Sequence, residues 1–248
     1  MGALHAATLS ATPALEVVAV KKLAAEAAAA GRIFQVGFWR RFSPHWRRAK
    51  DLLDQGAIGR PLLLRFAQWD AHPPPPAFCD PAVSGGLAID CGVHEYDLAE
   101  WLTGERVERV SARNLPIVSE AVGQAGDVDN LVALLDLTGG ATAVVDLTRN
   151  ARYGDDVRTE ILGAEGALFV DVLPTGRTRL ATSAGVSVVE GFEVEGATVA
   201  GIVGRAQALA AAVRGEPQEL PGAAASDRAV AIGRAVQRSA RARRPVEL

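Results

Sequence analysis

The spacing of apolar positions along the 248 residues falls into two textures. Over the first forty, short β-branched runs alternate with alanine-rich stretches. Residues 2–12 read as a helix, interrupted by Pro13. Leu15–Val20 reads as a short buried strand, Lys21–Ala30 as a helix stopped by Gly31, and Ile33–Gly37 as a second strand. Near-continuous apolar runs of this length suit buried strands, and their alternation with helices suits a parallel α/β layer. Ser43-Pro44 then opens a helix through Trp46, Ala49, Leu52 and Leu53 to Gly56. Serine is a good helix cap, and proline is pre-organised for the first turn. Leu62–Gln68 reads as a strand and Pro73–Pro76 as a stiff loop.

From Val107 the period shortens to two. Val107–Arg113, Asn130–Leu137, Ala141–Thr148, Val157–Leu162, Ala167–Leu173, Thr178–Ala181 and Val186–Val194 all read as strands. Short turns such as Thr138-Gly-Gly140 and Gly163-Ala-Glu-Gly166 favour antiparallel hairpins in one sizeable sheet. Val203–Val213 reads as a helix closed by Gly215. Ser226-Asp227 is the expected cap of a last helix reaching about Ala240. The expected fold class is α/β plus α+β: a small parallel layer, then a large, mostly antiparallel open sheet with flanking helices.

Composition narrows this little. Apolar residues are 49% and charged residues 22%, as in an ordinary globular protein, and the net charge of −3 gives no reason to expect nucleic-acid binding. The basic run Arg238–Arg244 suits a helix C-terminus, where cations are favoured. Cys79 and Cys91 provide neither a disulfide framework nor zinc-pair spacing, which fits a reducing cytoplasmic compartment. No run approaches the ~18 apolar residues of a membrane span. The alanine-rich start has no basic leader and does not read as a secretion signal.

The chemistry concentrates in Ser84-Gly-Gly-Leu-Ala-Ile-Asp90-Cys-Gly-Val-His94-Glu-Tyr-Asp97-Leu-Ala-Glu-Trp101. If this run is helical, Asp90, His94 and Asp97 share a face, because helix-surface neighbours are three and four apart. An imidazole beside carboxylates suits proton transfer. The alternatives are a helix histidine facing the core, or a metal held by Asp90, Cys91 and His94.

Several motifs recur in order: Gly37-Phe-Trp-Arg-Arg-Phe42, Gln55-Gly-Ala-Ile-Gly59, Gly85-Gly86…Asp90…His94…Asp97, Gly126-Asp-Val-Asp129, and Arg152-Tyr-Gly-Asp155…Glu160…Gly163…Gly166. Together they resemble the Gfo/Idh/MocA family of NAD(P)-dependent sugar and polyol oxidoreductases, most of all its inositol 2-dehydrogenase branch, over residues 31–248. The resemblance implies a Rossmann domain followed by an open-sheet substrate domain. Here it implies an incomplete dinucleotide-binding domain at 1–42 and a substrate and oligomerisation domain at 43–248. The last helix (226–240) would pack back on the N-terminal part. Implied partners are NAD or NADP, a cyclic polyol or sugar, and further copies of the chain in a homodimer or homotetramer through the sheet. Neither nucleic acid nor membrane is implied.

The resemblance assigns roles residue by residue. His94 is the base, with Asp90 orienting it and binding a substrate hydroxyl. Arg40, Asp70 and Tyr153 would contact the polyol, while Arg40 also suits a structural ion pair and Tyr153 a plain sheet aromatic. Met1-Gly2-Ala-Leu-His5 resembles the end of the glycine turn, making Gly2 a cofactor contact. The first strand and leading glycines of that turn do not precede it. Neither Lys21 nor Lys22 is followed by proline, so neither takes the place of the family's catalytic lysine. The rival reading is a non-catalytic, oligomeric polyol-binding scaffold. A third is a metal-dependent hydrolase or isomerase built on Asp90 and His94.

Overall fold

The computed structural model describes residues 22–171, 177–191 and 194–248. The expected helix at 2–12, the strand at 15–20, and Gly2 lie outside them. Residues 22–29 are helical and end at Gly31 with φ 63°. None of the helices among the described residues is long and apolar enough to cross a membrane.

The core is a nine-stranded sheet formed by β1 (Pro61–Trp69), β2 (Val107–Asn114), β3 (Asn130–Leu137), β4 (Thr142–Thr148), β5 (Asp156–Gly163), β6 (Gly166–Asp171), β7 (Arg177–Thr182), β8 (Gly185–Gly191) and β9 (Val246–Glu247). The order is β8-β7-β6-β5-β1-β4-β3-β2-β9. All neighbours are antiparallel except β1 and β4, which run parallel with Trp69 opposite Thr148. The two strands of this parallel pair therefore end side by side.

One face of the sheet is covered. Against it lie α1 (Pro44–Asp54), α2 (Pro81–Ser84), α3 (Leu87–Asp90), α4 (Gly92–Thr103) and α7 (Ala223–Ala242), with α5 (Glu120–Gln124) in the connection to β3 and α6 (Val194–Val213) beyond β8. Period-two alternation sends Leu64, Phe66, Leu135, Val145 and Ile161 inward to meet Trp46, Leu98, Leu102, Ile232 and Val236 from the helices. Close approach at α7 depends on Gly233, where a Cβ would lie 2.9 Å from Ile89 Cγ1 and 3.0 Å from the Ala88 carbonyl oxygen. No element among the described residues covers the other face: register puts Leu134, Leu162, Val186 and Val188 on it, all exposed.

Three expectations are corrected. Ile33–Gly37 is not a strand: no ladder partner lies beside it among the described residues, and the Val36 N–H instead donates to the Pro221 carbonyl, 2.7 Å. The last helix starts at Ala223 behind Gly222, not at Ser226-Asp227. The preceding helix begins at Val194, where a strand was expected to end. Gly201 and Gly204 let it lie against the 3-10 turn Trp39–Phe42. A Cβ on Gly201 would sit 2.5 Å from Trp39 Cε3. The last helix packs on β2, α3 and α4.

Candidate active site

The ends of the parallel pair build the site. Beyond β1 comes Asp70, whose N–H donates to the Thr148 carbonyl at 2.9 Å and whose carbonyl accepts from the Ala151 N–H at 3.0 Å. Beyond β4 comes Arg149. Buried positions on β4 are Ala143, Val145 and Leu147, and the same alternation carries Arg149 inward. In an open sheet, ligands gather outside the carboxyl ends of parallel strands.

The Ser84–Trp101 run folds over this end as α3 and most of α4, entered from the last residue of α2. Gly85 and Gly86 have φ 81° and 75°, a region closed to most side chains. The turn they open is not an anion cradle. The Asp127 carboxylate already fills it, accepting the Leu87 N–H at 3.0 Å, and a Cβ on Gly86 would lie 2.7 Å from Asp127 Oδ1. Asp127 also takes Arg149 Nη1 at 3.1 Å, while Arg149 Nη2 donates to Asp90 at 2.8 Å. The Cys91 thiol bridges the carboxylates, 3.3 Å from Asp70 Oδ2 and 3.9 Å from Asp90 Oδ2. Gln68 donates its amide to Asp70 and accepts from Arg40 Nη2 through its carbonyl.

His94 reaches the same region differently from expectation. Asp90 does not orient it: the carboxylate is turned to the guanidinium, the stronger charge-assisted partner, and imidazole Nδ1 is buried without a partner among the described residues. The ring stands edge-on to Phe38, centroids 6.2 Å apart. Burial, helped by the nearby Arg40 charge, lowers its pKa to about 3, so the imidazole is neutral at pH 7. Burial raises the Asp90 carboxyl above its ordinary value, with Arg149 opposing the rise.

Asp97 belongs elsewhere. It pairs in a fork with Arg41 (2.8 and 2.6 Å) on the wall of a groove of about 460 Å3 that Trp101 and Glu100 also line. Arg40 is 4% exposed, bonded to Glu95 and Gln68 and packed over Trp39 and Trp46. Tyr153 is 69% exposed on the β4–β5 turn, its hydroxyl donating to Asp156 at 2.8 Å. Sequence reasoning missed Arg149 and Gln68. Period-two counting through β4 could have found Arg149 as a cation on an inward position; Gln68 gave no signal. No group of three or more His, Cys, Asp or Glu among the described residues is placed to hold a metal.

An open sheet covered on one face, with carboxylates and a buried guanidinium gathered where two parallel strands end, defines an α+β domain with a buried polar cluster at that end. Residues 46–169 match the GFO/IDH/MocA C-terminal domain. The chain is 38% identical over 157 residues to a myo-inositol 2-dehydrogenase of Thermotoga maritima, covering 63% of this chain and 46% of that protein. It is 38% identical over 143 residues to a scyllo-inositol 2-dehydrogenase (NAD(+)) of Bacillus subtilis, covering 58% and 41%. Among solved structures, a scyllo-inositol dehydrogenase of Lactobacillus casei with bound NAD(H) and scyllo-inositol superimposes with a TM-score of 0.75 at 26% identity, covering 93% of this chain and 69% of that one. This chain belongs to the GFO/IDH/MocA family. Its matches span less than half the length of those two curated relatives.

Proposed function

We propose that residues 43–248 form the polyol side of an NAD-linked dehydrogenase for cyclic, inositol-like polyols. The observation that supports this most is the pairing of Asp70 and Asp90 across the Cys91 thiol at the ends of β1 and α3, with neutral His94 four residues after Asp90. Ionised carboxylates only accept hydrogen bonds, so they suit a ligand that offers hydroxyl donors at several adjacent carbons. In this reading Asp70 and Asp90 hold neighbouring hydroxyls, and the neutral His94 accepts the proton of the hydroxyl being oxidised. Arg40 acts from behind, holding Gln68 and through it Asp70. Tyr153 stands at the rim.

The described residues carry no open glycine turn for a dinucleotide. Their double-glycine turn is filled by Asp127, and Gly2, which the resemblance makes a cofactor contact, lies outside them. A nicotinamide would supply hydride acceptance; the chemistry assigned to this chain stops at holding the polyol and taking its proton. The second reading is a polyol-binding scaffold without turnover.

The uncovered apolar face of the sheet supports association of copies through it, since contiguous exposed apolar surface marks an interaction site. The deciding experiment combines reduction of NAD or NADP with a panel of inositol isomers and calorimetric binding of the same isomers. Turnover abolished by His94→Gln supports the dehydrogenase. Binding that Asp70→Asn weakens, without turnover, supports the scaffold. Neither binding nor turnover overturns both.

A further inference from the structure

Arg149 takes no part in the roles assigned above, yet its side chain is 1% exposed. Its fork spans two carboxylates, Asp90 at 2.8 Å and Asp127 at 3.1 Å. Asp127 in turn receives the N–H of Leu87, the first residue of α3, while Asp90 is the last residue of that same helix. A single guanidinium at the end of β4 thus holds one end of α3 directly and the other through a shared carboxylate. The turn before α3 packs on the same carboxylate: a Cβ on Gly86 would lie 2.7 Å from Asp127 Oδ1.

We propose that Arg149 is a positioning residue: acting through Asp90 and Asp127, it keeps the Asp90 carboxylate ionised and aimed at the place where Asp70 presents its own. This inference rests on the polyol reading of the site. Ionisation matters because a carboxylate accepts a hydroxyl donor, whereas a protonated carboxyl would compete as a donor itself. The charged and titratable groups facing Asp90 are Arg149, Asp127 and Asp70, with the Cys91 thiol alongside. Arg149 is the sole cation of this set, and it favours the ionised form; Asp70 and Asp127 oppose it.

That balance gives substitutions of opposite sign. Removing the cation must make Asp90 easier to protonate, and removing the Asp127 charge must make it harder. Asparagine at 127 still offers an oxygen to the Leu87 N–H, so the second change spares the turn. The test is a carbon-detected NMR titration of the Asp90 carboxyl in the full chain, assigned with Asp90→Asn, together with calorimetric binding of myo-inositol at pH 7.5.

Arg149→Met should move the Asp90 midpoint up by about one pH unit or more and weaken inositol about tenfold or more. Arg149→Lys should fall between it and the parent. Asp127→Asn should move the midpoint down and leave affinity within about threefold. If Arg149→Met does not fold, the lysine and Asp127→Asn variants carry the test. A midpoint unmoved in the folded variants, or one that the Arg149 variants raise without any loss of affinity, overturns the proposal. If the parent protein binds no inositol, the polyol reading fails, and the titration alone still decides whether Arg149 governs Asp90.

Discussion

Replacing Arg40 by methionine removes the charge partner of a carboxylate that has no contact with solvent. Arg40 is 4% exposed and Glu95 0%, and burial already raises Glu95 while Arg40 opposes the rise. Methionine keeps most of the stem against Trp39 and Trp46, so the change is chiefly electrostatic. An unpartnered buried carboxylate takes up a proton when that costs less than staying charged. From the ordinary value of 4.5, protonation costs about 1.4 kcal/mol per pH unit, hence about 4 kcal/mol at pH 7.5 and about 1.4 kcal/mol at pH 5.5. These figures cap the loss and agree with the ~3–5 kcal/mol usual for breaking a buried pair. The sign follows from linkage. A carboxyl raised above its unfolded value contributes stability at low pH, and this is lost as pH rises through the folded value. Urea unfolding at the two pH values should therefore show the variant losing as much as ~2.7 kcal/mol more at pH 7.5 than at pH 5.5. Adding Glu95→Gln should flatten that difference. A loss below ~1 kcal/mol, equal at both pH values, would refute the picture of a buried charge held by its partner.

Three further outcomes follow from other parts of the fold. Gly86→Ala meets both a φ of 75° and a carboxylate oxygen 2.7 Å from the new methyl; thermal unfolding should show a larger loss than for Gly126→Ala, which has a φ of 83° but open space and should cost only about 1–2 kcal/mol. Burial lowers His45 to about 4. It stays neutral in the folded protein while the unfolded chain takes up a proton below about 6.5, so His45→Asn should reduce the acid loss of stability between pH 6.5 and 4 by up to ~1.4 kcal/mol per unit. Leu134→Glu with Leu162→Glu, both on the uncovered face, should shift light-scattering mass toward the monomer without changing the far-UV spectrum; an unchanged mass would place any association elsewhere.

What was legible in the sequence follows from period and partner. Alternation from Val107 onward located β2 to β8, because one face of that sheet is buried and the other is not, which is the condition that makes period two visible. Where burial is not one-sided the reading failed. Ile33–Gly37 is apolar enough for a strand, yet strand formation needs a neighbour to take its hydrogen bonds, and here the chain finds Pro221 instead. The helix read over Val203–Val213 in fact begins at Val194, and its first turns escaped notice because Gly201 and Gly204 answer a tertiary demand, contact with Trp39 and Phe42, which local propensity does not encode.

The candidate site divides along the same line. Asp90 and His94 stood out because they are close in sequence, but closeness in sequence did not make them partners. Asp90 took the Arg149 guanidinium just beyond β4, 59 residues away, and His94 Nδ1 has no partner among the described residues. On the proposed reading, the neutral imidazole and a carboxylate held by a separate cation would act independently, one group holding a hydroxyl and the other taking a proton, without competing for the same hydrogen.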